Sequence, residues 1–96
     1  MPAGKATLIR ANGEKQDFNR SLTMTEIRKL INAEVLDSVN LKEGHVLVID
    51  DNGIQAGKPP NAGATFIYQR LKKSTNKIYG DVVIGDVVIV WDNDYA

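Results

Sequence analysis

The chain contains no cysteine, a single histidine and no net charge. Without cysteine there can be no disulfide scaffold, thiolate zinc site or cysteine nucleophile. The same absence fits a reducing compartment such as the cytoplasm. Twelve basic and twelve acidic side chains cancel. A domain that wraps duplex DNA carries a positive excess, so sequence-specific DNA binding is not expected. No apolar stretch follows Met1-Pro2-Ala3-Gly4-Lys5, so no signal peptide is read there. The most apolar run, Gly80 to Trp91, is too short and too interrupted by Gly-Asp to span a membrane as a helix. No Walker loop, dinucleotide fingerprint, nucleophile elbow or zinc-ligand spacing occurs. The chain therefore reads as a non-enzyme with no cofactor.

What is present is a small α+β domain. Ninety-six residues make one domain with a thin core. The most telling segment repeats Gly-Asp-Val-Val-Ile, at Gly80–Ile84 and again at Gly85–Ile89. β-Branched residues at this density belong in strands. A five-residue shift turns each side chain to the opposite face, so the two copies should have different environments. Gly85-Asp86 is then either a hairpin turn or a bulge in one long strand.

Upstream, Ala6 to Arg10 reads as a strand, Asn12-Gly13 as a tight turn, and Lys15 to Phe18 as the return strand. Thr23-Met24-Thr25-Glu26 is a capping box, with Leu22 and Ile27 placed for a hydrophobic staple. It opens a short helix ending near Asn32, with Ile27, Leu30 and Ile31 on one face. Val35 to Leu41 suggests an irregular strand, and His45 to Asp50 a regular one. After a turn at Asp51-Asn52-Gly53 and a rigid Gly57-Lys58-Pro59-Pro60 loop, Asn61 caps a second helix with Ala64, Ile67, Tyr68 and Leu71 on one face. The expected architecture is a mostly antiparallel sheet of roughly four to six strands with a pair of helices on one face. The element order is ββαββαβ, with an optional last hairpin. The expected core includes Leu8, Ile27, Leu30, Ile31, Val46, Val48, Ile67, Leu71 and Val88.

His45 opens a strand beside Gly44 and reads as a strand-edge histidine rather than a catalytic one. Asp50-Asp51-Asn52-Gly53 and Asp92-Asn93-Asp94 hold oxygens suited to a hard cation, but neither has an EF-hand spacing. The first reads as a turn and the second as a solvated tail. Charge placement is more informative. Between Gly53 and Gly80 lie five bases (Lys58, Arg70, Lys72, Lys73, Lys77) and no acid, whereas from Asp81 onward there are four aspartates and no base. Lys58 and Asn61 also stand where a helix start would offer free amides, which suits a phosphate or an acidic patch. The simpler alternative is that the lysines complement the helix dipole and Lys58 is a solvated loop residue.

The ordered set Lys5-Ala6-Thr7-Leu8-Ile9, Asp51-Asn52-Gly53, Pro59-Pro60-Asn61, Ala64-Thr65-Phe66-Ile67-Tyr68 and Ile84-Gly85-Asp86-Val87-Val88-Ile89 resembles a family of small uncharacterised domains found mainly in bacteriophages and mobile elements. The similarity runs from Lys5 to Val90. Gly63, the first Gly80–Ile84 copy and the tail after Val90 depart from the pattern. The resemblance implies an accessory role in the host cytoplasm and points to Pro59, Pro60, Asn61, Thr65 and Tyr68 as a functional surface. Two functions are expected from these readings. One is a non-enzymatic protein that binds and modulates a host protein, and the other is a binder of a small phosphorylated, nucleotide-type ligand. The expected surface comprises Lys58, Pro59, Pro60, Asn61, Thr65, Tyr68, Arg70, Lys72, Lys73 and Lys77. A homo-oligomer is expected through Gly80 to Trp91, with Trp91 as the anchor.

Overall fold

The computed structural model describes residues 5–74 and 78–91. Its elements are β1 (Ala6–Ile9), β2 (Lys15–Phe18), α1 (Met24–Ile31), β3 (Leu36–Asn40), β4 (Val46–Asp50), α2 (Ala62–Leu71) and β5 (Val87–Val90), in the expected order. The five strands form one sheet, β2-β1-β5-β4-β3, and every pairing is antiparallel.

The helices do not share a face. α1 places Ile27 and Ile31 against Ala6, Leu8, Val46, Val48, Val88 and Val90. α2 places Ala64 and Tyr68 on the other side, against Ile9, Leu41, Leu47, Val87 and Ile89. The reason lies in the strands. β1, β4 and β5 are apolar on both faces, so one covered face would leave a row of valines and isoleucines in water. Leu8, Ile27, Ile31, Val46, Val48 and Val88 are buried as expected, whereas Leu30, Ile67 and Leu71 sit at the rims of the two cores and are only half-buried.

The capping box opens α1 with both of its bonds. Thr23 Oγ1 accepts from the Glu26 amide at 3.1 Å, and the Glu26 carboxylate accepts from the Thr23 amide at 3.0 Å. Arg20 chelates the same carboxylate at 2.6 and 3.0 Å. First the Arg20 hydrogen bond, then the Thr23 amide, lower the Glu26 pKa to about 2. The helix ends at Asn32 in the left-handed conformation, which an asparagine tolerates better than most residues.

The repeat forms neither a hairpin nor one bulged strand. Gly85, at φ +79°, bends the chain between the copies. The second copy supplies β5, the centre of the sheet. The first copy starts in a tight turn at Gly80–Asp81, both at positive φ, and then bridges the proline loop at Pro60–Ile84. The five-residue flip is nevertheless obeyed: Val83 enters the α2 core and its counterpart Val88 enters the α1 core. The aspartates diverge too. Asp81 faces the Tyr68 hydroxyl and Lys72, whereas Asp86 holds Arg10 and the Ala11 amide at 2.9 Å each.

Within the stretch expected to self-associate, Gly80 to Trp91, β5 offers no free edge. β5 is paired on both edges, by β1 and β4. The sheet's open edges are β2 and β3 instead. Trp91 is held inward: its indole N–H donates to Thr7 Oγ1 at 2.7 Å, and Thr7 donates in turn to Asp17 at 2.6 Å.

Candidate functional site

The residues expected to form a recognition surface largely hold the chain's own first Gly-Asp-Val-Val-Ile copy in place. The Pro59 carbonyl accepts from the Gly85 amide, and the Asn61 amide donates to the Val83 carbonyl, both at 2.8 Å. The Val83 amide donates to Thr65 Oγ1 at 2.9 Å. Tyr68 is fully buried, with its hydroxyl 3.4 Å from Asp81. Burial first, and then the Asp81 charge, push its phenol above the usual range. Lys72 meets the same aspartate at 3.3 Å. This side of α2 is thus a cradle for the segment that leads into β5.

Asn61 goes further than a helix cap. Its side-chain oxygen accepts from the Ala64 amide at 3.0 Å, and its amide group donates to the Ile9 and Gly85 carbonyls at 2.9 Å each. It ties α2, β1 and the joint between the repeats together while fully buried. Nothing of that side chain faces a ligand.

Lys58 is not a solvated loop cation. Its ammonium lies 2.5 Å from Asp50, and the two side chains are 19% and 5% exposed. It also donates to the Ile31 and Asn32 carbonyls at 3.1 and 2.8 Å, which neutralises the C-terminal end of α1. The other carboxylate oxygen, Asp50 Oδ1, accepts from the Asn52 amide at 2.9 Å. A carboxylate that sequence suggests as a cation ligand is therefore already matched by an internal ammonium. Pro59 and Pro60 keep their rings exposed although their loop is bridged to Ile84. Lys77, Asp92 and Asp94 lie outside the described residues.

His45 is a strand-edge residue, as expected. Its Nδ1 bonds to the Trp91 carbonyl, and its ring meets the indole edge-on at 5.2 Å. Among the described residues, no group of three or more histidines, aspartates or glutamates is arranged to hold a metal.

What remains available is the outer face of α2. Phe66 is 60% exposed there. The Arg70 guanidinium, one turn on, sits over its ring at 5.1 Å. Lys73 is exposed just past the end of the helix, and Gln69 is exposed while donating to the Asp81 carbonyl at 3.3 Å. Arg70 and Lys73 belong to the expected surface, whereas Phe66 was not singled out from the sequence. The signal was available: with Ala64, Ile67, Tyr68 and Leu71 facing inward, residue 66 must face outward. No family model, curated protein or solved structure matches the chain.

Proposed function

We propose that the protein is a non-enzymatic binding module that docks on an acidic surface of a partner protein through the outer face of α2, and so modulates that partner. A host protein is the partner implied by the family resemblance, and the host cytoplasm the setting. The observation that carries the reading is the exposed Phe66 with Arg70 stacked on it. Aromatic and arginine side chains dominate binding energy when an interface buries them. Phe66 contributes nothing to either core, so its exposure has no role in holding the fold. Arg70 and Lys73 supply positive charge beside it, on a segment without acids between Gly53 and Gly80. Opposite charge on the partner speeds encounter and fixes orientation.

The phosphorylated-ligand alternative loses support from the same geometry. Lys58, the Asn61 side chain and the Ala64 amide, its natural contacts, are all engaged within the chain. No described helix is long and apolar enough to cross a membrane.

The test begins with capture of a stoichiometric partner from host lysate, followed by titration of that purified partner. Phe66→Ala should cost about 2 kcal/mol of binding, or roughly thirtyfold in affinity. Arg70→Glu should weaken binding further and reduce its salt dependence. Both variants should unfold like the parent protein. Full binding by the folded double variant would move the site elsewhere.

A further inference from the structure

A second surface, of opposite charge, lies at the β3 edge of the sheet, on the face that α2 covers. β3 pairs with β4 and with no other described strand. The bonds from the Leu41 amide to His45 and from the Asp51 amide to Val35 turn residues 35 and 41 toward β4. By alternation, the backbone groups of Leu36 and Ser38 face outward. Against this edge opens a groove of about 180 Å³, floored by Val39, Ile49 and Ile84, with Ile54 at its mouth and Asp37 and Asp51 on its rim. Ile54 is 58% exposed. No salt bridge among the described residues neutralises Asp37 or Asp51. The third carboxylate, Asp50, is already matched by Lys58.

The volume narrows the occupant. Cofactors and drug-sized ligands fill roughly 300–1,000 Å³, so this groove accepts a single side chain. That side chain must lay an apolar stem on Val39, Ile49 and Ile84 and bring a cation to the rim. Lysine and arginine combine such a stem with a charged head. The adjacent open edge supplies the main-chain half of the recognition, since an extended peptide can add a strand there and send alternate side chains to the groove side.

We propose that β3 and this groove bind an extended basic segment of a partner protein, one lysine or arginine of which occupies the groove between Asp37 and Asp51. This site is independent of the α2 surface and calls for a partner segment of the opposite charge. The free protein protects the edge with one of the same groups. The Ser38 amide donates to Asp37 Oδ1 at 2.9 Å, which blunts the edge against indiscriminate pairing. Binding exchanges that bond: the Ser38 amide turns to a carbonyl of the incoming strand, and Asp37 turns to the cation. Nucleic acids would meet uncompensated carboxylates here and are rejected.

A fluorescently labelled hexapeptide of alternating valine and lysine is the probe, and its valine–glutamate counterpart the control. Fluorescence polarisation should show binding of the lysine peptide only, weakening with salt. Amide NMR shifts should concentrate on Leu36, Ser38 and Ile54. Asp37→Asn with Asp51→Asn keeps the Ser38 acceptor and should raise Kd threefold or more. Glu14→Gln, which removes a carboxylate at the opposite edge of the sheet, should change it by less. No binding of the lysine peptide at millimolar concentration would overturn the proposal. So would shifts confined to α2, equal binding of the glutamate peptide, or an Asp37/Asp51 variant within threefold of the parent.

Discussion

Replacing Lys58 with methionine decides whether this lysine is a surface cation or an internal tie. A surface lysine without partners would change stability by about 0.5 kcal/mol or less in either direction. The structure requires far more. The ammonium sits 2.5 Å from a carboxylate whose side chain is 5% exposed. Removing one member of a buried pair costs about 3–5 kcal/mol, because the other charge stays buried without a counterion. Asp50 keeps the Asn52 amide at 2.9 Å, so about 3 kcal/mol is expected, the low end of that range. For a domain this size, total stability is roughly 5–14 kcal/mol. The variant should fold, with its urea midpoint lowered by about 2 M if the slope is near 1.5 kcal/mol per molar. Urea unfolding followed by circular dichroism measures it. Adding Asp50→Asn removes the stranded charge, so the double variant should regain at least about 1 kcal/mol over Lys58→Met alone. A loss below 1 kcal/mol in the single variant would refute the tie and return Lys58 to the candidate binding surface.

The two glycines of the repeat should respond differently. Gly85→Ala forces a side chain into φ +79° and places its Cβ 3.0 Å from Lys58 Cδ, whereas at Gly80 a Cβ meets open space. Thermal unfolding should show a loss of about 1 kcal/mol for Gly80→Ala and clearly more for Gly85→Ala; equal losses would contradict the close approach to Lys58. Asn61→Ala strands the Ile9 and Gly85 carbonyls and the Ala64 amide, and should cost about 3 kcal/mol in urea, a result inconsistent with a solvated ligand-binding asparagine. Glu26 has a folded-state pKa of about 2 against an ordinary value of 4.5. Its contribution is therefore present above about pH 4.5 and is lost as pH falls toward 2. Acid titration of Glu26→Gln should show a flatter stability curve in that window, with the difference shrinking at high salt because the group is exposed.

The sequence by itself determined the elements and their order. Local chemistry suffices for that: the Thr23–Glu26 box starts α1 whatever lies elsewhere, and Asn12-Gly13 makes a turn between its own neighbours. It also determined that the two Gly-Asp-Val-Val-Ile copies point in opposite directions, since period two is a property of the backbone. The placement of the helices on opposite faces contradicts the sequence reading of one shared face, although a strand reading Val-Val-Ile-Val has no polar face to leave in water. Long-range pairing was not legible. Whether Gly80–Ile84 pairs with its twin, with another strand or with a loop depends on which partner arrives beside it, and identical letters cannot specify different neighbours. The same holds for Lys58 and Asn61. In the chain they are a cation and a cap next to prolines, as a recognition loop would be. Only the packed structure brings Asp50, the end of α1, Ile9 and Gly85 within hydrogen-bond reach of them, and burial makes those contacts conditions of folding. The tertiary structure thereby withdraws Lys58 and Asn61 from the expected surface, and of that surface it leaves the outer face of α2 exposed.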